Sequence, residues 1–229
     1  MADASAQPAP TDPVRAAPIE SPTGEATSEF SHPASRHDIR AVADALGLHG
    51  ITAKVVDSGE EARQAVRSII PVGAEVYNNT SRTLEIIGVA DDIERSGLYQ
   101  PLRPRLYQMD REMQGREMRQ LSAAPDWVVG SVHAVTKGGS LLIASASGSQ
   151  LGPIVSGAGH VILVIGAQKI VPDLDTGIRR IYDYCFPLED SRAREAYGVP
   201  SGVNNLLIIN NAVFTGRITS ILVNEALGF

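Results

Sequence analysis

Four short stretches hold the side chains that can do chemistry. The first is Tyr77-Asn-Asn-Thr-Ser-Arg-Thr-Leu-Glu85. Asn79, Thr80, Ser81 and Thr83 offer amide and hydroxyl groups, Arg82 offers charge, and Glu85 offers a carboxylate for acid–base work. A strand that feeds such a turn into a helix leaves backbone N–H groups free, and these favour a phosphate or carboxylate. The same residues can instead cap the helix, with Glu85 offsetting its dipole. The second stretch is Gly130-Ser-Val-His-Ala-Val-Thr136, which supplies Ser131, His133 and Thr136. A histidine can give or take a proton near neutral pH. His133 has no acid partner close in sequence, so a structural hydrogen-bonding role is its other reading.

The third stretch, Ala144-Ser-Ala-Ser-Gly-Ser-Gln-Leu-Gly152, contains Gly148, Ser149 and Gln150. Small residues let a ligand approach the backbone, and consecutive N–H groups can form an anion nest. The fourth is Gly166-Ala-Gln-Lys169, directly after the apolar run Val161–Ile165. There Lys169 either meets an anionic ligand or lies solvated on the surface. No stretch has the glycines and lysine of a P-loop. His32, His37 and His49 lack ligand spacing, so no metal site is expected. The single cysteine, Cys185, excludes an intramolecular disulfide and paired-cysteine metal signatures. Its apolar and aromatic neighbours point to a buried thiol. One unpaired cysteine also suits a reducing compartment, so a cytoplasmic location is expected.

Positioning these turns requires regular elements. Ile39, Val42, Ala43, Leu46 and Leu48 recur at helical spacing, and Ile51–Val56 alternates as a strand does. Ser58 is placed to cap a helix that runs to Ile70 and stops at Pro71. Ala74–Tyr77 reads as a strand, Thr83–Arg95 as one helix, Gly97–Met109 as a long loop and Arg111–Leu121 as a helix. Trp127–Gly130 and Ser140–Ala144 read as strands joined through a Thr136–Gly139 turn, and Ser149–Ser156 as a short helix. Val161–Ile165 reads as a strand covered on both faces. A helix from Pro172 to Tyr184 should break at Pro187, with a second over Leu188–Tyr197. Asn205–Ile209 and Ile218–Val223 read as a closing hairpin through Gly216. The pattern predicts an α/β fold: an open, mostly parallel sheet with flanking helices and an antiparallel C-terminal edge. In such sheets ligands bind beyond the carboxyl ends of the strands.

The chain has 229 residues, 43% of them hydrophobic, enough for one sizeable core. Its formal charge of −6 argues against a nucleic-acid binder, which needs a basic patch. No apolar run approaches the length of a membrane span. Residues 1–34 hold six of the 14 prolines and five acids against one arginine. They lack apolar periodicity, so a disordered tail is expected before a domain over residues 35–229.

The sequence resembles the LUD (lactate-utilisation) domain family, and within it the short single-domain branch. The matching stretches are Asn79-Thr-Ser-Arg-Thr-Leu-Glu-Ile-Ile-Gly88, Asp126-Trp-Val-Val-Gly-Ser-Val-His-Ala-Val-Thr136, the run from Val161 to Leu174, and the run from Gly216 to Phe229. The resemblance implies a fold like that of glucosamine-6-phosphate deaminase, ribose-5-phosphate isomerase and the CoA transferases. It implies an accessory or catalytic subunit in L-lactate oxidation to pyruvate, beside iron–sulfur partner proteins. This chain shows no cofactor motif of its own, so a redox cofactor would come through a partner. The sequence departs from the short branch at Asn78 and Asn79, where a glycine pair is frequent, at His133, where Asn is frequent, and at Gly148-Ser149-Gln150, where Gly-Asn-Arg is frequent. Fold analogy leaves open an isomerase, deaminase or acyl-transferase acting on a phosphorylated sugar or CoA ester, with Glu85 as base. A non-catalytic binding or regulatory subunit is the third reading.

Overall fold

A computed structural model describes residues 26–229. In chain order the regular elements begin with α1 (Arg36–Leu48), β1 (Thr52–Val56), α2 (Gly59–Ile69) and β2 (Glu75–Asn78). Then come α3 (Arg82–Ile86), α4 (Val89–Arg95), β3 (Gln100–Pro101), α5 (Leu102–Gln108) and α6 (Arg111–Ala123). The strands β4 (Trp127–Gly130), β5 (Ala134–Thr136) and β6 (Leu141–Ser145) follow, then β7 (His160–Gly166) and β8 (Ile170–Val171). The chain closes with α7 (Leu174–Arg180), α8 (Phe186–Tyr197), β9 (Asn205–Ile209) and β10 (Ile218–Val223).

Six strands make the main sheet, in the order β1-β10-β7-β4-β2-β3, and every pairing in it is parallel. Strand β7 explains the two-sided architecture. Its Val161, Leu163 and Ile165 pack into a core with Ile39, Val42 and Leu46 of α1. The alternate residues, Ile162 and Val164, pack with Ala62 and Val66 of α2. Side chains alternate across a strand, so a strand apolar on both faces must be covered on both. A second, smaller sheet runs β8-β5-β6-β9. There β5 pairs antiparallel with β6 and parallel with β8, and β6 pairs antiparallel with β9.

The α/β class and the parallel sheet agree with expectation, but several local readings change. The last two strands form no hairpin. β10 inserts between β1 and β7, whereas β9 joins the second sheet, so the antiparallel pairing lies there. The helix expected over Thr83–Arg95 divides in two, because Gly88 adopts φ 75°, a left-handed conformation that ends a helix. Gly97–Met109 is no loop but holds β3 and α5, whose Leu102 and Leu106 are buried. Ser149–Ser156 gives a turn leading into a π-type segment, Pro153–Gly157. Pro187 does not break the chain's helical course. A π-type turn over Ile181–Cys185 precedes α8, and the Phe186 N–H bonds back to the Ile181 carbonyl. Pro187 therefore falls in the first turn of the next segment, where a missing N–H costs little.

Residues 1–25 of the expected tail lie outside the described residues. Ser28–Ser31 forms a 3-10 turn that buries Phe30 near the Tyr184 ring, and the Thr27 N–H donates to the Asp183 carbonyl at 3.1 Å. One aromatic residue supplies the apolar contact that lets this stretch order ahead of Ser35.

The centre of β7 should be the least replaceable part of the fold. Ile162→Ala removes a fully buried side chain from it. The expected loss is about 2–5 kcal/mol, measured by urea unfolding with an unchanged m-value.

Candidate functional site

The carboxyl ends of three adjacent strands converge. β2 ends at Asn78 and leads into Asn79 and Thr80. β4 ends at Gly130 and leads into Ser131. β7 ends at Gly166, and the next turn carries Lys169. These strands are neighbours in the sheet, in the order β7-β4-β2. Over them opens a cavity of about 340 Å³ lined by Asn79, Thr83, Ser131, His133 and Lys169. Ser149 and Gln150 after β6 close one side, and Arg192, Glu189 and Phe229 lie on its wall.

Lys169 is the centre of the arrangement. It is 2% exposed. Its Nζ donates to Thr83 Oγ1 at 2.9 Å and to Ser131 Oγ at 3.0 Å. Among the described residues no carboxylate pairs with it. Burial, with the nearby Arg180 guanidinium adding to it, draws its pKa down to about 7. Arg180 is itself fully buried. Its guanidinium donates to the carbonyls of Gln168 and His133 and lies 2.8 Å from Cys185 Sγ, over the Tyr184 ring. Its Nη2 has no hydrogen-bond partner, and no carboxylate pairs with it among the described residues.

His133 keeps part of its ring on the cavity wall, yet its enclosure draws its pKa down to about 3, with Lys169 and Arg180 adding to the effect. It is neutral, and its Nδ1 accepts the Ala144 N–H at 3.1 Å, which leaves the ring proton on Nε2. Asn79 is buried, and neither end of its amide has a partner. The backbone leaves it little room: a Cβ on Gly130 would lie 2.7 Å from Asn79 Nδ2. Burial pushes the Cys185 thiol up, so the sulfur stays protonated and serves as packing.

The structure brings together most of the residues expected from sequence. Asn79, Thr80, Ser81, Thr83, Ser131, His133, Ser149, Gln150 and Lys169 share the cavity. Some of them are committed locally. Ser81 Oγ caps α3 by accepting the Leu84 N–H at 3.4 Å, and Gln150 donates to the Ala144 carbonyl at 2.8 Å. Thr136 stands apart, its hydroxyl accepting the Ser140 N–H in the hairpin turn. Gly148 turns the chain before Ser149 with φ 78° but does not line the cavity. Gly166 instead packs under Gln168 and Leu227. Glu85 lines a different, shallow cleft with Arg63 and Glu225 and pairs at 2.7 Å with Arg82, which itself lies on the cavity wall. Sequence reasoning missed Arg180. Its one signal was an arginine four residues before Tyr184, on a helix face that otherwise reads as apolar.

Among the described residues, no group of three or more His, Cys, Asp or Glu side chains is placed to hold a metal ion. No helix among them is long and apolar enough to cross a membrane.

The buried amine makes stability depend on pH. Lys169 titrates near 7 when folded, against an ordinary lysine value of 10.5. Between these values the unfolded chain binds more protons, so stability rises with pH through that window and the full penalty applies below about 7. The unfolding free energy of the wild type relative to Lys169→Met should therefore climb between pH 7 and 9, with a slope approaching about 1.4 kcal/mol per pH unit. A flat difference would mean that the amine is not desolvated.

Among solved structures, the chain is similar to a DUF162 family protein from Deinococcus radiodurans. The two are 14% identical with a TM-score of 0.51, over 83% of this chain and 99% of the other. That likeness shows a shared fold. No curated protein matches the sequence. Residues 39–223, which include every strand of both sheets and the strand-end turns that bear Asn79, Ser131 and Lys169, match the LUD domain. This chain belongs to the LUD (lactate-utilisation) domain family.

Proposed function

We propose that this protein takes a small carboxylate of the lactate–pyruvate type into the strand-end cavity, as a subunit in L-lactate oxidation to pyruvate. One observation carries the reading. Two cationic side chains, Lys169 on the cavity wall and Arg180 behind it on the His133 and Gln168 carbonyls, are buried without a carboxylate partner among the described residues. Uncompensated buried charge is expensive, and a charged partner restores the balance. The missing partner is an anion. The cavity volume of about 340 Å³ lies at the small end of ligand pockets, which favours a small metabolite over a CoA ester. Asn79 lines the same cavity with a buried amide whose two ends have no protein partner.

Family membership supports the lactate context. In this reading the chain holds the carboxylate, and the electrons leave through an iron–sulfur partner protein. The phosphosugar reading named Glu85 as its base, and that carboxylate lies outside the cavity, paired with Arg82.

Thermal unfolding against L-lactate and pyruvate tests the proposal. At about 100 times the dissociation constant a ligand adds about 2.7 kcal/mol, a rise of roughly 5–11 °C for a chain of this size. Lys169→Met should abolish the shift. Lactate affinity should fall as pH rises above about 7, because the ammonium that pairs with the carboxylate is lost. No shift with either acid, or a shift that survives in Lys169→Met, would sink the assignment.

A further inference from the structure

The hydrogen bonds around Lys169 have a fixed direction. Thr83 Oγ1 donates to the Leu227 carbonyl at 3.0 Å, and Ser131 Oγ donates to the Val164 carbonyl at 2.6 Å. A hydroxyl has one proton to give. Both hydroxyls have given theirs to the backbone, so both present lone pairs to Lys169 Nζ and accept from it. As an ammonium, Lys169 would keep a third N–H with no protein acceptor in a buried place. As an amine, it uses both N–H groups on Thr83 and Ser131. Its remaining tetrahedral position then carries a lone pair that no protein donor occupies. Lys169 is among the residues that line the cavity.

This arrangement differs from a serine activated by lysine. In that case the hydroxyl proton points at the amine. Here the Ser131 proton is held on the Val164 carbonyl, and the free electron pair belongs to the nitrogen.

The choice of residue type is consistent. The chain has three lysines, Lys54, Lys137 and Lys169, against 17 arginines. Lys54 is exposed on β1, and Lys137 pairs with Asp38 at 2.8 Å. An arginine at 169 could hold an anion but could not shed its proton, whereas a buried lysine can. The depressed pKa of Lys169 supports this, since a large share of the side chain is already free amine near neutral pH.

We propose that Lys169 is an imine-forming lysine whose Nζ condenses with the carbonyl carbon of a 2-oxo acid bound in the cavity. The proposal rests on the anion-site reading above and adds the substrate class: a carboxylate with a carbonyl beside it. The Nζ lone pair bonds to the carbonyl carbon, and the C=O π pair moves onto oxygen. Both amine protons pass to that oxygen, which departs as water and leaves a C=N bond. No oxidant or reductant is needed.

The test uses the full chain with pyruvate, 2-oxobutyrate and 2-oxoglutarate, each reduced in place with borohydride. L-lactate, which has no carbonyl, is the control. Isothermal titration calorimetry measures binding, and peptide mass mapping locates any reduced adduct. The expected result is a stoichiometric secondary-amine adduct on Lys169 with at least one 2-oxo acid, none on Lys54 or Lys137, and none with lactate. Carbon-13 resonance of the bound C2 should show the same imine without reduction. Binding of the oxo acids without an adduct on Lys169, or an adduct spread over all three lysines, overturns the imine and leaves the anion site standing. Binding of none of these acids overturns both. The mapping is done on the wild type, so the outcome does not depend on whether Lys169→Met folds.

Discussion

A lysine amine buried against another buried cation, with no carboxylate to balance it, is the constraint around which the structure is organised. Taking such a charge from water is costly, and an unpaired buried donor is costly too. Lys169 is tolerated because two hydroxyls accept its N–H groups, and because its proton is held loosely enough to leave. Those hydroxyls turn their lone pairs to Lys169 because they donate their own hydrogen bonds to two backbone carbonyls, Leu227 and Val164. The state of one nitrogen therefore depends on backbone placement at β7 and in the C-terminal segment.

The fold supplies that placement with few devices. Parallel pairing brings the ends of β2, β4 and β7 side by side, so three separate turns meet over one point. Gln168 clasps the far side. Its Oε1 accepts the Leu227 N–H at 3.1 Å, and its Nε2 donates to the Leu227 and Gly228 carbonyls at 2.9 Å each. The clasp fixes the carbonyl that orients Thr83. The neighbouring residues Gln168 and Lys169 thus divide the work: one holds the C-terminal segment and the other faces the cavity. Behind them Arg180 ties α7 to the His133 and Gln168 carbonyls and keeps the interior positive.

Much of this was legible in the chain. The cap at Ser58 lies where a hydroxyl precedes helical periodicity, and it accepts the Glu61 N–H three residues on. The all-apolar run Val161–Ile165 indicated a strand covered on both faces. The polar turns after strands marked the cavity, because parallel strands must leave their carboxyl ends on one side of the sheet. Local reading failed where two elements compete within one pattern. Leu102 and Leu106 lie among prolines and arginines that mimic a loop, yet both are buried. The π-type turn at Ile181–Cys185 shifts the helical register and absorbs a proline that otherwise signals a break.

By itself, the sequence determined the α/β class, the order of most strands and helices, and the turns that could hold a ligand. Each of these rests on short-range physics: periodicity, capping and the two-sided burial of a strand. Tertiary structure decided strand order, which sent β9 and β10 to different sheets although they are adjacent in the chain. It also decided chemical character. Lys169 and Glu85 read alike as polar side chains near turns, but one is enclosed without a counter-charge and the other lies outside, paired with Arg82. A side chain's proton affinity is set by what surrounds it in space, and around Lys169 the nearby residues 164 and 180 are joined by residues 83, 131 and 227, which are distant in sequence and adjacent only once the sheet has formed.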